Sequence, residues 1–124
     1  MLIIREPQMW ALRDALWMNL ILDHVRECFP AQCAKLGESG VNNLVTRAVQ
    51  KGKAYGFREL ADIQQYVDLA IVLGADFEST SEFAWAREIL EDKNPAAAKF
   101  RATWLYDNVI RHLTRKEQHG RRSG

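Results

Sequence analysis

Apolar side chains recur at helical spacing along almost the whole chain, and this periodicity constrains the fold more than any other feature. Spacings of three and four place such side chains on one side of a helix. One example is the run Val41, Leu44, Val45, Ala48, Gly52 and Tyr55. No segment shows a convincing alternation of apolar and polar residues that would indicate a β-strand. The periodicity therefore predicts an all-α fold, a compact single-domain bundle of five to six helices.

Proline and glycine mark where the predicted helices begin and end. The first helix begins near Pro7, a residue suited to a first helical turn, and runs to about Cys28. The Phe29-Pro30 step interrupts it, because the residue before a proline is disfavoured in the helical conformation. Pro30 can itself begin a short second helix, PAQCAKL, which Gly37 ends in the left-handed conformation that glycine adopts readily.

Two further helices flank a glycine turn. The third helix closes at Gly56, and Gly52 on its apolar face would let a neighbouring helix approach closely. The fourth helix is apolar on nearly all sides over residues 66–73, with Asp68 as the exception, which is typical of a buried helix. Gly74 ends it as a C-terminal cap. The stripe of the fourth helix consists of Leu60, Ile63, Val67 and Ala70.

The last two predicted helices begin with capping signals. Ser79 and Glu82 form the pattern of a capping box at the start of the fifth helix. Asn94 and Pro95 suit the cap and the first turn of the sixth. We expect the buried side of the fifth helix to contain Phe83, Ala86, Ile89 and Leu90. We expect that of the sixth to contain Ala98, Ala102, Leu105, Val109 and Leu113.

Length and charge fit one soluble domain. We assign residues 1–115 to the helical bundle and residues 116–124 to a frayed basic tail, since the last residues lack apolar anchors. A net charge of +1 leaves no broad basic face for nucleic acid. The stretch MLIIREPQMW does not have the pattern of a secretory signal, and no apolar run reaches membrane-spanning length. We therefore expect a cytoplasmic location and free thiols at both cysteines.

Recognisable motifs for catalysis or metal binding are missing from the sequence. It has no serine–histidine–acid motif, no HExxH and no phosphate-binding glycine loop. His24, Cys28 and Cys33 are candidate metal ligands, but three groups without a nearby fourth fall short of a structural zinc site. We interpret them as a surface histidine and two buried thiols.

The carboxylates of the fourth helix and its end also give no catalytic signal. Nothing in the sequence marks Asp62, Asp68 or Asp76 as desolvated or coupled, and Asp76 is interpreted as a turn residue that bonds local backbone. We therefore expect no enzymatic activity, and no metal or cofactor.

The segment VTRAVQKGKAYGFRELADIQQYV combines a helix, a glycine turn and a helix, and is loosely similar to a helix-turn-helix. A recognition helix presents polar and basic residues to DNA. The second helix here offers Arg58 and two glutamines, but also three acidic residues that would meet phosphates unfavourably. Charge therefore favours a bundle over a DNA-reading unit.

The first helix carries two apolar stripes, whereas a peripheral helix needs only one. The broad stripe holds Trp10, Trp17, Ile21, Val25 and Cys28, and the narrow stripe holds Met9, Leu12, Leu16 and Leu20. Either this helix runs centrally and both stripes are internal, or one stripe faces a partner or a second copy of the chain. We choose the narrow stripe as the candidate partner-binding surface.

Four stretches form a pattern over residues 29–106: FPAQCAKLG, RAVQKGKAYGF, DIQQYVDLAIVLGADF, and FAWAREIL with a downstream Leu105-Tyr106. This pattern resembles a family of small all-helical proteins of bacterial type VI secretion gene clusters, found beside an effector-loading adaptor chaperone and a PAAR-repeat spike-tip protein. The resemblance implies a non-enzymatic co-adaptor that binds the adaptor chaperone and modulates effector loading onto the spike tip. It implies no catalytic residues.

Two other functions remain open at this point. One is an immunity protein that neutralises a neighbouring toxin, which would often carry a strongly charged patch that this sequence does not show. The other is a helix-turn-helix-like regulator that binds nucleic acid.

Overall fold

Five α-helices and one short 3₁₀ turn make up most of the described chain. The computed structural model describes the backbone of residues 6–94 and 100–122 and the side chains of residues 12–94 and 100–117. The helices are α1 (Glu6–Cys28), α2 (Pro30–Ala54), α3 (Leu60–Leu73), α4 (Ala84–Leu90) and α5 (Arg101–Arg122), with the 3₁₀ turn at Phe77–Ser79. Within these ranges there is no β-strand. The predicted all-α bundle is confirmed.

The short second helix and the third helix, which were predicted on either side of Gly37, are the two unequal parts of one kinked helix, α2. Gly37 has φ 73° and ψ 167°, which is far from helical geometry, while the residues on both sides of it are helical. A residue with a side chain would be strained at this φ, so the glycine permits the kink. All the buried residues of α2 lie after the kink: Val41, Val45, Ala48, Val49 and Gly52.

Glycines with positive φ also make the two corners around α3, as predicted. Gly56 has φ 97°, and after it the amide of Phe57 donates to the Gly52 carbonyl at 3.1 Å. Gly74 has φ 105° and closes α3 by donating its amide to the Ala70 carbonyl at 2.8 Å. The chain therefore reverses sharply at each end of α3.

Helix α3 lies at the centre of the bundle and contacts α1, α2 and α5. Tyr66 is almost fully buried on α3, and its ring lies 5.7 Å from that of Phe77 and 5.9 Å from that of Tyr55. Phe77 in turn contacts Phe83, which places the segment after α3 against the same core. The predicted return of Phe77 to the core is confirmed. The other buried residues of α3 are Ile63, Val67, Leu69, Ala70 and Ile71.

An ion pair between a partly exposed lysine and a buried carboxylate connects α2 to the 3₁₀ turn. The Glu78 carboxylate is almost fully buried, pairs with the Lys51 ammonium group, and accepts a hydrogen bond from the Tyr55 hydroxyl at 3.1 Å. Burial of the phenol, followed by the nearby Glu78 charge, raises the pKa of Tyr55 to about 12. The Lys51 ammonium also donates to the Ala75 carbonyl at 2.9 Å. These bonds hold the segment after α3 against α2.

The predicted capping box at the fifth helix is wrong. Helix α4 begins only at Ala84 with Phe83 at its N-cap, while Ser79 ends the 3₁₀ turn. The Glu82 carboxylate instead accepts hydrogen bonds from Lys116 at 2.9 Å and from His112 at 3.0 Å. The hydrogen bond from Lys116 is the largest cause that lowers the pKa of Glu82 below its usual range, and the bond from His112 is the next. Glu82 therefore pairs with α5 instead of capping the start of the fifth helix.

The expected buried faces of the last two helices are largely confirmed. Phe83, Ala86 and Leu90 are buried on the α4 side, and Ile89 is partly buried. On α5, buried positions are Ala102, Leu105 and Val109, and Leu113 is partly buried. Pro95 and Ala98 lie outside the described residues.

We predict opposite effects for alanine at two glycines of the α2–α3 corner. Gly56→Ala is expected to lower the free energy of unfolding by about 1–3 kcal/mol, because its φ is positive and the new Cβ would lie 3.0 Å from the Arg101 guanidinium. In Gly52→Ala the Cβ meets Tyr66 and Phe57 at 3.6 and 3.7 Å, which is ordinary contact. Since Gly52 is helical, alanine there is expected to leave stability unchanged or raise it by up to about 1 kcal/mol.

Equilibrium urea unfolding followed by circular dichroism measures both effects. Equal destabilisation by the two substitutions would contradict the assignment of strain to Gly56 alone.

Candidate interaction surface

The two stripes of α1 have different environments. On the inner side Ile21 and Val25 are buried, and Trp17 packs against the core. On the outer side the exposed fractions are 55% for Leu12, 54% for Leu16 and 54% for Leu20. We call these three leucines the leucine ridge. The reading in which both stripes are internal is therefore wrong for the part of the narrow stripe that the structure describes; the side chain of Met9 lies outside it.

The leucine ridge occupies one continuous row of α1. Its members are four residues apart, so each lies one turn beyond the previous one on the same side of the helix. The same side continues into the exposed carboxylates Asp23 and Glu27. Asp23 lies 3.8 Å from the Arg26 guanidinium. The outward side of α1 is therefore apolar in its first half and charged in its second half.

A cleft lies beside the leucine ridge, where α1 faces the end of α2 and the start of α3. Its volume is about 370 Å³. We call it the cationic cleft and define it by its lining residues Arg13, Asp14, Trp17, Lys53, Phe57, Arg58, Glu59 and Ile63. A second cavity of about 170 Å³ shares Asp14, Trp17 and Lys53 with it. The two cavities therefore adjoin along α1.

Two contacts organise the charges of the cationic cleft. The Arg13 guanidinium lies over the Trp17 ring, 4.0 Å from its centroid, a cation–π arrangement that also presents the cation at the rim. The Lys53 ammonium lies 3.1 Å from the Asp14 carboxylate and joins α1 to the end of α2. Arg58 and Glu59 are exposed at the start of α3. The cleft thus has an apolar floor, and its walls carry three cations and two carboxylates.

His24 connects α1 to α3 through Asp68, the one polar residue in the apolar half of α3. Its Nε2 lies 3.1 Å from Asp68 Oδ2, and the other Asp68 oxygen accepts from the Gln64 amide at 2.9 Å. Burial raises the pKa of Asp68, and the Gln64 and His24 contacts oppose that rise. Nothing in the sequence indicated this burial, which arises because His24 of α1 packs against Asp68.

The thiols differ from the predicted buried pair. Cys28 is exposed, and its sulfur lies 3.8 Å from Nδ1 of His24; only Cys33 is partly buried, and its thiol donates to the Val25 carbonyl at 3.7 Å. Both cysteines are free. Across the described side chains, no three histidine, cysteine or acidic residues converge in a way that could hold a metal ion.

The environments of Asp76 and Asp62 differ from each other. The Asp76 carboxylate accepts hydrogen bonds from Lys51 and Arg47, and the bond from Lys51 is the largest cause that lowers the pKa of Asp76. Asp76 is a turn residue, as expected, but its carboxylate bonds these two side chains of α2 instead of local backbone. Burial is the largest cause that raises the pKa of Asp62, and the charge of Glu59 is the next.

None of the helices in the described part of the chain is both long enough and apolar enough to cross a membrane.

Comparison with models of protein families, with curated proteins and with solved structures finds no match.

Replacement of Asp68 by asparagine tests its burial through the pH dependence of stability. Because the folded-state pKa of Asp68 is raised, its ionisation costs stability, and this cost develops as the pH rises above the ordinary value of 3.8. We therefore expect Asp68→Asn to gain stability relative to the parent protein as the pH rises from that value through the folded-state pKa. Urea unfolding of both proteins across this range measures the difference, and a constant difference would contradict the burial effect.

Proposed function

We propose that the protein is a non-enzymatic protein-binding module that presents the leucine ridge to a protein partner. The observation that carries this proposal is the exposure of Leu12, Leu16 and Leu20 in one row of α1. Full burial of an exposed leucine is worth roughly 1.5–3 kcal/mol, and since these leucines are about half covered already, each can still gain roughly half of that on association. Exposed apolar patches on soluble proteins commonly mark interaction sites.

The shape of the leucine ridge favours a helical partner surface. Rows of residues spaced by four are the ridges that pack into the grooves of another helix. The neighbouring side chains on α1, including Arg13 and Asn19, are polar and exposed, and they would form the rim of such a contact. A homo-oligomer through the same surface is the simplest alternative occupant.

As the partner we propose an adaptor chaperone that loads effectors onto the type VI secretion spike tip, so that the protein acts as a co-adaptor in the cytoplasm. Support for this identity comes from the four sequence stretches within residues 29–106. Many positions in those stretches serve the bundle: Gly56 and Gly74 turn the chain, and Tyr66 and Phe77 are buried. The leucine ridge lies outside the matching run. The recognition surface is thus separate from the residues that carry the resemblance.

Packing of α3 favours a protein partner over nucleic acid. A helix-turn-helix needs its second helix free to enter the major groove. Here α3 contacts α1, α2 and α5 and buries six of its residues. The exposed positions within α3 are Ala61 near its start and Val72 near its end, and both are apolar. A nucleic-acid regulator and an immunity protein are therefore retained only as outcomes of the experiment below.

The experiment compares the parent protein with a ridge variant, Leu12→Glu combined with Leu16→Glu, as tagged baits in extracts of the native cell. Since both positions are exposed, we expect the thermal midpoint and helical content of the ridge variant to remain close to those of the parent. We expect the parent to recover the adaptor chaperone, and the ridge variant to bind it at least about 30-fold more weakly, as for loss of a hot spot.

Ile110→Glu is the matched control, because Ile110 is a 45%-exposed apolar residue on a different helix. It should retain the adaptor. Unchanged adaptor binding by a folded ridge variant would refute the assigned surface. Recovery of a toxin instead would indicate an immunity protein, and recovery of nucleic acid a regulator. Loss of folding in the ridge variant would show that the leucines belong to the core.

A further inference from the structure

We propose that the cationic cleft binds a carboxylate of the protein partner, presented by an acidic side chain next to an apolar one. The proposal rests on the proposed function only in taking the occupant to be part of a protein. The preference of the cleft for an anion with an apolar body follows from its own residues and is testable without the partner.

The first argument is the position of the cleft relative to the leucine ridge. Arg13 and Trp17 form the row of α1 that adjoins the leucine row, because Arg13 lies three residues before Leu16 and Trp17 three residues before Leu20. Both residues line the cleft. A partner segment that covers the leucine ridge therefore passes along the rim of the cleft, within the reach of a side chain.

The second argument is size and polarity. At about 370 Å³ the cleft is near the lower end of the volumes typical of ligand sites, so it suits one or two side chains rather than a large cofactor. Phe57 and Ile63 are buried in its floor, and Trp17 is half-buried in its wall. Of these three side chains only Trp17 has surface left for an apolar body to contact, while the charged side chains that line the cleft are exposed.

The third argument is charge. Arg13, Lys53 and Arg58 line the cleft against two carboxylates, and one of these, Asp14, is already paired with Lys53. Arg58 takes part in none of the ion pairs found among the described side chains, and its planar guanidinium can bind a carboxylate through two parallel hydrogen bonds. The remaining carboxylate, Glu59, opposes an anion, but the three cations of the lining exceed its two carboxylates by one charge.

A pair of small probes tests the ligand class on the isolated protein. N-acetyl-phenylalanine carries a carboxylate on an apolar body, and N-acetyl-phenylalaninamide is its neutral match. In an NMR titration of ¹⁵N-labelled protein we expect the acid to shift the Trp17 indole signal with a dissociation constant on the order of 1 mM. The amide should bind several-fold more weakly. Trp85 and Trp104, which lie outside the cleft, are internal controls.

Replacement of Arg58 tests the assigned cation. Arg58→Gln is expected to weaken binding of the acid by about threefold to fivefold, the size of an exposed ion pair, and to leave binding of the amide unchanged. Arg115→Gln, at an exposed arginine of α5, should change neither. Absence of a Trp17 shift with the acid, equal binding of acid and amide, or equal effects of the two substitutions would overturn the proposal.

A final comparison separates this inference from the proposed function. Arg58→Glu should weaken binding of the adaptor chaperone, because it reverses the charge that faces the partner's carboxylate. If the adaptor binds Arg58→Glu as tightly as the parent while the ridge variant loses it, the cleft assignment fails and the proposed function stands. If the acid probe binds as expected but no adaptor is recovered, the ligand class stands and the adaptor assignment fails.

Discussion

Burial of α3 is the constraint on which the rest of the structure depends. A helix that is apolar on nearly all sides must be covered on nearly all sides, and α1, α2 and α5 provide this cover. Helix α1 uses Ile21 and Val25 for that contact, which commits its inner side to the core. The leucines on its outer side then have no helix of the described bundle above them. The exposed ridge is thus a consequence of how the centre of the protein is packed.

Polar groups fix the corners around this apolar centre. Glu78 is buried with Lys51 and the Tyr55 hydroxyl, and Arg101 donates to the Leu90 carbonyl at 2.6 Å where α4 ends and α5 begins. A buried charge is tolerated only when its partners are present, so these contacts favour one arrangement of the connecting segments. These contacts also fix the connecting segments against the helices. Glu78 and Arg101 thus each have a structural partner, although Glu78 Oε2 and Arg101 Nε are buried without a hydrogen bond to any described residue.

How much of this was predictable from the sequence depended on the range of the interaction. The glycine corners and the buried face of α3 follow from local rules, since a positive φ needs glycine and an all-apolar helix needs cover. The capping box failed because Glu82 pairs with His112 and Lys116, residues far away in the chain. The contact of His24 with Asp68 and the cationic cleft likewise depend on how helices cross, which periodicity does not specify. The two stripes of α1 were visible, but which of them faced outward required the packed structure.

The kink at Gly37 divides α2 into two parts of unequal cohesion. Every buried residue of this helix follows the kink, while the turns before it lie largely on the surface. Regions with little buried apolar area open at a small cost in free energy compared with global unfolding. The first turns of α2 can therefore unravel and re-form while the remainder of the bundle stays intact. The kink at Gly37 therefore separates local opening of the first turns of α2 from global unfolding of the bundle.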